Sequence, residues 1–213
     1  MTVECRYIAN SVPAHKIQLN RFEYLNPESR RLVCGWFERA YAAKDVENEC
    51  FEAFIFSWFA VNGWAACVTG KDRDSDYVNA LQRSDELAAR FKDLLSSNSE
   101  FSETAIKFHS SWPIFKAQIL RRGGLTAPSN DRSAVVQYYL KKGVSEYEPG
   151  CWQSHLEAGE SVPLDWPHTL AAIYRVRCNL FHGEKSAHSE MDQAIVRSAY
   201  LTLIGFFRGT GLL

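Results

Sequence analysis

Phe51-Glu-Ala-Phe-Ile-Phe-Ser-Trp-Phe-Ala-Val-Asn-Gly-Trp-Ala-Ala-Cys-Val68 is the most apolar run in the chain. It is long enough to cross a bilayer, yet Glu52, Ser57, Asn62 and Gly63 interrupt it, and a carboxylate is costly in hydrocarbon. Extended to Val46–Thr69, its apolar residues Phe51, Phe54, Ile55, Trp58, Phe59, Ala65 and Ala66 recur at i, i+3, i+4, i+7 and i+8. That spacing predicts a wide core-facing stripe on the central helix of a soluble bundle.

The flanking sequence continues the helical pattern. Asn26-Pro27-Glu28-Ser29 reads as an N-cap with proline in the first turn, opening a helix that carries Leu32, Trp36, Phe37 and Tyr41. Gly70 to Asp76 is a polar break, after which Tyr77, Leu81, Leu87, Phe91, Leu94 and Leu95 predict one helix ending before Ser96-Ser-Asn-Ser99. Between Glu100 and Arg122 two short helices are expected, split at Trp112-Pro113 and stopped by Gly123-Gly124. Residues 143–167 hold Gly143, Pro149, Gly150, Gly159, Pro163 and Pro167 with little periodicity and read as a long connection. Two helices close the chain, Pro167 to His182 and Ser189 to Phe207, the latter with a face of Ile195, Val196, Ala199, Tyr200, Leu203, Ile204 and Phe207. No strand pattern appears. The expected class is all-α, an antiparallel helical bundle forming a single domain over 1–213, with 1–25 as an N-terminal extension and 100–165 as a helical and loop insertion.

The chain has 213 residues, 46% of them hydrophobic and 23% charged, which excludes disordered and low-complexity classes. Lys+Arg 24 against Asp+Glu 25 leaves a formal charge of −1, so no global basic field exists to hold a duplex non-specifically. Nucleic-acid contact would have to be local. The start, Met1-Thr-Val-Glu-Cys-Arg, has no apolar stretch behind a basic one, so a cytoplasmic protein without a membrane partner is expected. Cys5, Cys34, Cys50, Cys67, Cys151 and Cys178 are widely spaced and suit reduced thiols.

Chemistry concentrates in Ala172-Ile-Tyr-Arg-Val-Arg-Cys-Asn-Leu-Phe-His-Gly-Glu-Lys185. On a helical wheel Leu170, Ile173, Tyr174, Leu180 and Phe181 fall within about 60° of Arg177, which places an always-charged guanidinium on an apolar stripe. It must snorkel, pair with a carboxylate, or await an anion in a cleft or interface. Arg175, Asn179 and His182 fall on the opposite, polar side, and Gly183 is a helix stop that frees the backbone after His182. The plain structural alternative is an arginine paired with a core carboxylate and a histidine stabilised by the helix C-terminus.

Arg177, four intervening residues and then His182-Gly183 resemble the Arg-x4–6-His motif of the HEPN superfamily (higher eukaryotes and prokaryotes nucleotide-binding). The late-helix position and following amphipathic helix agree, as does the aromatic helix ending Trp58-Phe-Ala-Val-Asn62-Gly, so that the resemblance covers about 45–70 and 168–207. It implies a metal-independent endoribonuclease without cofactor, a toxin or antiviral defence factor, in which the 2′-hydroxyl attacks the adjacent phosphate. Arg177 and His182 would be catalytic. Arg175 also meets the spacing, with six residues between. Histidine supplies base or acid near neutral pH and arginine holds phosphate, but one motif gives only one of each. A two-fold dimer would bring two pairs to a composite site, and the resemblance implies that homodimer too, with RNA as substrate and an antitoxin or regulatory protein as partner. The sequence departs at Cys178, where active members often carry Asn, Asp or His. A non-catalytic helical nucleotide-binding or protein-interaction module is the alternative reading.

Other residues are weighed against that site. Asn62, on the apolar stripe, is either a satisfied core amide or one that positions Arg177 or His182. Asn179 would support the site and Lys185 could contact phosphate, while Arg121-Arg122 and Lys141-Lys142 are small basic clusters able to guide RNA. His155, His168, His182 and His188 lack metal-ligand spacing, and Gly123-Gly124 lacks the surroundings of a phosphate loop, so neither a metal site nor an NTPase is expected.

Overall fold

A computed structural model describes residues 17–44, 46, 50–183 and 189–213. After a short 3-10 turn, Leu19–Tyr24, come α1 (Pro27–Ala42), α2 (Cys50–Thr69), α3 (Asp74–Gln82), α4 (Asp85–Ser97) and α5 (Ser99–His109). Then follow β1 (Ile114–Phe115), α6 (Ala117–Arg122), α7 (Arg132–Lys141), β2 (Tyr147–Glu148), α8 (Trp152–Glu157), α9 (Trp166–Phe181) and α10 (Glu190–Gly209). The fold is an all-α helical bundle whose two strands form one small antiparallel pair, Ile114 opposite Glu148 and Phe115 opposite Tyr147.

Helix α2 is the axis of the core. Among the described residues it is the one helix long and apolar enough to cross a membrane, and Phe54, Trp58 and Trp64 on it have 0% exposure inside the protein. It packs against α1, α3 and α10. Asn26 caps α1, its Oδ1 accepting from Glu28 N at 2.9 Å and Ser29 N at 3.2 Å. A side chain at Gly63 would put Cβ 2.6 Å from Val33 Cγ2, so glycine is what lets α1 lie close to α2. Trp64 meets Phe207 of α10 edge-on at 4.9 Å, and Tyr200 donates to the Ala40 carbonyl at 2.6 Å. Such packing, with few voids, supplies most of a bundle's stability.

Three sequence expectations need correction. The helix read from Tyr77 through Leu95 is two helices, because Ser84 caps α4 by accepting from Leu87 N and interrupts the run. Helix α3 begins inside the stretch read as a polar break, where Asp74 and Asp76 are first-turn acids that suit a helix N-terminus. Two strands also exist, each of two residues and too short for alternation to show. Within 100–165, α5 joins the main core beside α10, while Phe115, Val136, Val144 and Tyr147 form a small second cluster. Helix α7, capped by Asp131 through Ala134 N at 2.8 Å, lies within the helical and loop insertion, in a stretch to which the sequence pattern assigns no individual helix.

Candidate functional site

Helix α9 starts with Asp165 accepting from His168 N at 3.1 Å, with Pro167 in the first turn, and it stops at His182. There Gly183 takes φ +67°, the left-handed turn that glycine tolerates. Arg177 therefore lies just over one turn from the end of the helix. Its Nη2 sits 2.5 Å from Asp74 Oδ2 of α3, with the two side chains 19% and 29% exposed. The guanidinium carbon is 4.6 Å from the centre of the Phe181 ring and 5.8 Å from that of Trp58, and its buried Nε has no hydrogen-bond partner. The apolar-stripe arginine has thus met a carboxylate and two aromatic faces, which hold a cation well once it is partly desolvated.

The carboxylate is itself part of a polar chain. The Tyr77 hydroxyl donates to Asn62 Oδ1 of α2 and is within hydrogen-bonding reach of Asp74. Burial first, and then the Asp74 charge, raise the Tyr77 pKa, so that the hydroxyl remains a donor. Tyr174, one turn before Cys178, stacks on Trp58 with centroids 5.9 Å apart, and burial, with the Cys178 thiol next, pushes its pKa up to about 12. Asn62, Asp74, Tyr77, Tyr174 and Arg177 are thereby one connected cluster drawn from α2, α3 and α9. Asn62 is half-buried at its edge rather than sealed within the apolar stripe.

The other candidates separate. His182 is exposed and makes no side-chain hydrogen bond or ion pair among the described residues. Asn179, expected on the outer polar side, is instead 2% exposed, donating to the Phe115 carbonyl at 2.8 Å and accepting from Ala117 N at 3.1 Å. The β1–α6 segment covers that face of α9, so Asn179 is a staple between the two. Arg175 lies along another face, Nη2 3.9 Å from Glu148 Oε1 on β2. Lys185 falls outside the described residues. Among the described residues no group of three or more His, Cys, Asp or Glu is placed to hold a metal ion.

Two features escaped the sequence reading. Asp74 and Tyr77 were within or beside a nominal break, although Asp74, Tyr77, Val78 and Leu81 follow i, i+3, i+4, i+7 and could have been read as one face. The second is an aromatic strip on the surface. Phe181, 40% exposed, meets Phe59, 38% exposed, edge-on at 6.3 Å; Phe59 meets Trp36 at 5.5 Å, and Trp36 stacks on Phe56 at 5.4 Å. Leu32, 63% exposed, lies one turn before Trp36 on α1. The buried face of α1 belongs to Val33, Phe37 and Ala40, which turns Leu32 and Trp36 toward this strip. Arg177 stands at its Phe181 end.

Compared with protein-family models, curated proteins and solved structures, the chain gives no match.

Proposed function

We propose that the chain is a HEPN-type endoribonuclease that works as a homodimer in the cytoplasm, a toxin or defence factor held in check by an antitoxin or regulatory partner. The observation that carries this reading is the position of Arg177: a guanidinium with an unpartnered Nε, at the end of an aromatic strip whose Phe59 and Phe181 are exposed and whose Trp36 and Phe56 are half-buried, five residues before an exposed histidine. Scattered exposed aromatics are ordinary, but a connected strip of four rings reaching the site residue is what an interface offers. A second copy docked across Trp36, Phe59 and Phe181 would bring two α9 ends, and so two Arg177–His182 pairs, to one groove.

The chemistry then needs no metal. The ribose O2′ forms a bond to phosphorus as the P–O5′ bond breaks, leaving a 2′,3′-cyclic phosphate and a 5′-hydroxyl. One His182 imidazole takes the 2′ proton, and the second copy's protonated imidazole gives a proton to the leaving O5′. Arg177 holds the non-bridging oxygens as charge builds on them. Asp74 is the anion that phosphate must displace or share.

A second reading has an observation of its own. Because Asp74 already neutralises Arg177 and no contact joins Arg177 to His182 among the described residues, a non-catalytic nucleotide-binding or protein-interaction module would also suit this arrangement. Incubating the full chain with mixed RNA in EDTA separates the two. Cleavage ending in cyclic phosphate, lost in Arg177→Ala and His182→Ala while both variants melt near the parent, supports the enzyme. RNA left intact by a well-folded dimer supports the module. In bacteria the same variants should relieve growth arrest by the intact chain, and equal toxicity from all three would sink the enzymatic reading.

A further inference from the structure

Between residues 116 and 142 stand Lys116, Arg121, Arg122, Arg132, Lys141 and Lys142 against the single acid Asp131, a formal charge of +5 within a chain whose total is −1. The rest of the molecule therefore carries −6, and positive charge is gathered on the segment that holds α6 and α7. Two of its cations are already engaged. Lys116 pairs with Glu146 at 2.7 Å, and Arg132, half-buried beside the Phe115 ring, donates to the Ser111 carbonyl at 2.9 Å and to that of Pro113. Arg121, Arg122, Lys141 and Lys142 are exposed.

The two basic pairs rim one small apolar cluster. Arg121 and Arg122 stand between Leu120 and Leu125, and Lys141 and Lys142 between Leu140 and Val144; these four apolar residues belong to the cluster built on Phe115, Val136 and Tyr147. Each pair is followed by an exposed glycine turn, Gly124 at φ +61° and Gly143 at φ +77°, where an added Cβ would meet nothing within 4 Å. Such a turn lets a ligand backbone come close. A cation near a helix C-terminus answers the dipole, but pairs on both helices, with no acid in 117–130 or 132–145, leave positive charge over. The face also adjoins the candidate site. Phe115 and Ala117 are stapled to Asn179, three residues before His182, and Leu120 and Tyr139 share a cavity of about 90 Å³ with Met191 and Asp192 in the first turn of α10. The insertion thus sits where α9 stops and α10 starts, the end of the bundle at which His182 is exposed.

We propose that the α6–α7 face, through Arg122, Lys141 and Lys142, holds the sugar–phosphate backbone of single-stranded RNA and delivers the strand to His182; the inference rests on the reading of RNA as the substrate. Neither Arg122 nor Lys141 makes an ion pair among the described residues, and Lys142 Nζ lies 5.8 Å from the centre of the half-buried Tyr138 ring. Phosphate contacts hold a strand in register without reading its sequence. Surfaces for single strands combine such cations with aromatic rings on which bases stack, and Tyr138 beside Lys142 supplies one. A rigid duplex would extend from this face over the acidic remainder of the molecule. A flexible strand can follow the short basic track and leave at its edge.

The test is fluorescence anisotropy on the full chain with a labelled 2′-O-methyl RNA of about twelve nucleotides, within the span of one single-strand module. Having no 2′-hydroxyl, this probe can bind but cannot be cut. The triple variant Arg122→Ala, Lys141→Ala, Lys142→Ala is expected to weaken binding about tenfold and to reduce the slope of log affinity against log salt by about two, near 0.7 for each lost phosphate contact. The charge-preserving triple Arg122→Lys, Lys141→Arg, Lys142→Arg should keep both. Three exposed cations elsewhere, removed together as Arg83→Ala, Lys92→Ala and Lys107→Ala, should leave the affinity within about twofold of the parent, since exposed charges more than a Debye length apart are screened. No binding by the parent, an alanine triple that binds like the parent, or an equal loss in the distant triple would overturn the proposal. So would a parent that ignores the probe and instead captures a polyglutamate peptide through the same three cations. Cleavage of native RNA distinguishes this surface from the enzymatic reading. Probe binding that depends on the three cations, with native RNA left uncut, keeps the surface and removes the nuclease; cleavage whose kcat/KM is unchanged in the alanine triple keeps the nuclease and removes the surface.

Discussion

Arg177 and Asp74 meet across the α3–α9 groove at 2.5 Å, with the arginine also lying over the Phe181 ring. The pair is sheltered but not sealed, so its worth lies between that of a surface pair and a buried one. As a competitor for the guanidinium, Asp74 should weaken anion binding. Asp74→Asn keeps the shape and removes the charge; its affinity for a short RNA is expected to rise roughly fivefold, equivalent to about 1 kcal/mol. Fluorescence anisotropy at fixed ionic strength measures this. A fall in affinity would mean that the carboxylate orients Arg177 for phosphate rather than competing with it.

Asn179 supplies a contrasting case, because its two backbone bonds to Phe115 and Ala117 are buried. Asn179→Ala would leave a carbonyl and an N–H unpaired where the β1–α6 segment seats on α9, at a cost of about 2–3 kcal/mol. Urea denaturation should show a lower midpoint at unchanged slope. At temperatures where the variant is folded, RNA binding should match the parent; a selective binding defect would return Asn179 to the site.

The alkaline limb of the stability curve should report the tyrosine cluster. Burial raises Tyr77 and brings Tyr174 up to about 12, above the unfolded value near 10. Above about pH 10 the unfolded chain releases these protons before the folded one does, so the contribution is full below that pH and is lost as pH rises through the folded values. Stability is expected to fall between about pH 10 and 12. Tyr77→Phe and Tyr174→Phe, assayed by denaturant titration at stepped pH, should each flatten that fall; an unaltered slope in both would place its origin elsewhere.

Much of this architecture was legible because the signals were periodic and capped. The stripe around Trp58 gave α2, Asn26-Pro27 gave the start of α1, and Gly183 gave the end of α9. Arg177 on an apolar stripe demanded a partner, and the sequence narrowed the choice to a carboxylate or an anion. It did not name Asp74, since the contact joins residues about a hundred positions apart across the α3–α9 packing. Asn179 misled for a related reason: a wheel shows which side of a helix a residue faces, not what later folds over that side. The aromatic strip was invisible because period alone does not distinguish Phe54, which is buried, from Phe59, which is half-exposed.

The strip provides a test of assembly. Phe59 and Phe181 meet edge-on, and Trp36 continues the row onto Phe56, so a charge at Phe59 or Trp36 falls within any interface built there. Phe59→Glu and Trp36→Glu should leave the monomer folded, because both side chains are already partly in water, yet shift mass by light scattering from dimer to monomer. RNA cleavage should disappear along with the dimer. Monomers that retain full cleavage would remove the need for a composite site.

A composite groove also makes a claim about mixed dimers. If each reaction draws on imidazoles from both copies and on at least one guanidinium, Arg177→Ala and His182→Ala fail for different reasons. A dimer of one variant with the other keeps one arginine and one histidine, and these lie across the interface from each other. Mixed after brief dissociation, the two inactive proteins are expected to stay silent even where mass spectrometry shows heterodimers, because each mixed dimer holds a single imidazole and so lacks either the base or the acid. Excess His182→Ala added to the parent should likewise suppress cleavage by drawing parental chains into one-imidazole dimers, whereas excess Arg177→Ala leaves two imidazoles and one guanidinium and should not. Phe59→Glu placed in the added His182→Ala chain should abolish the suppression, and recovery of cleavage in the first mixture would mean that one imidazole suffices.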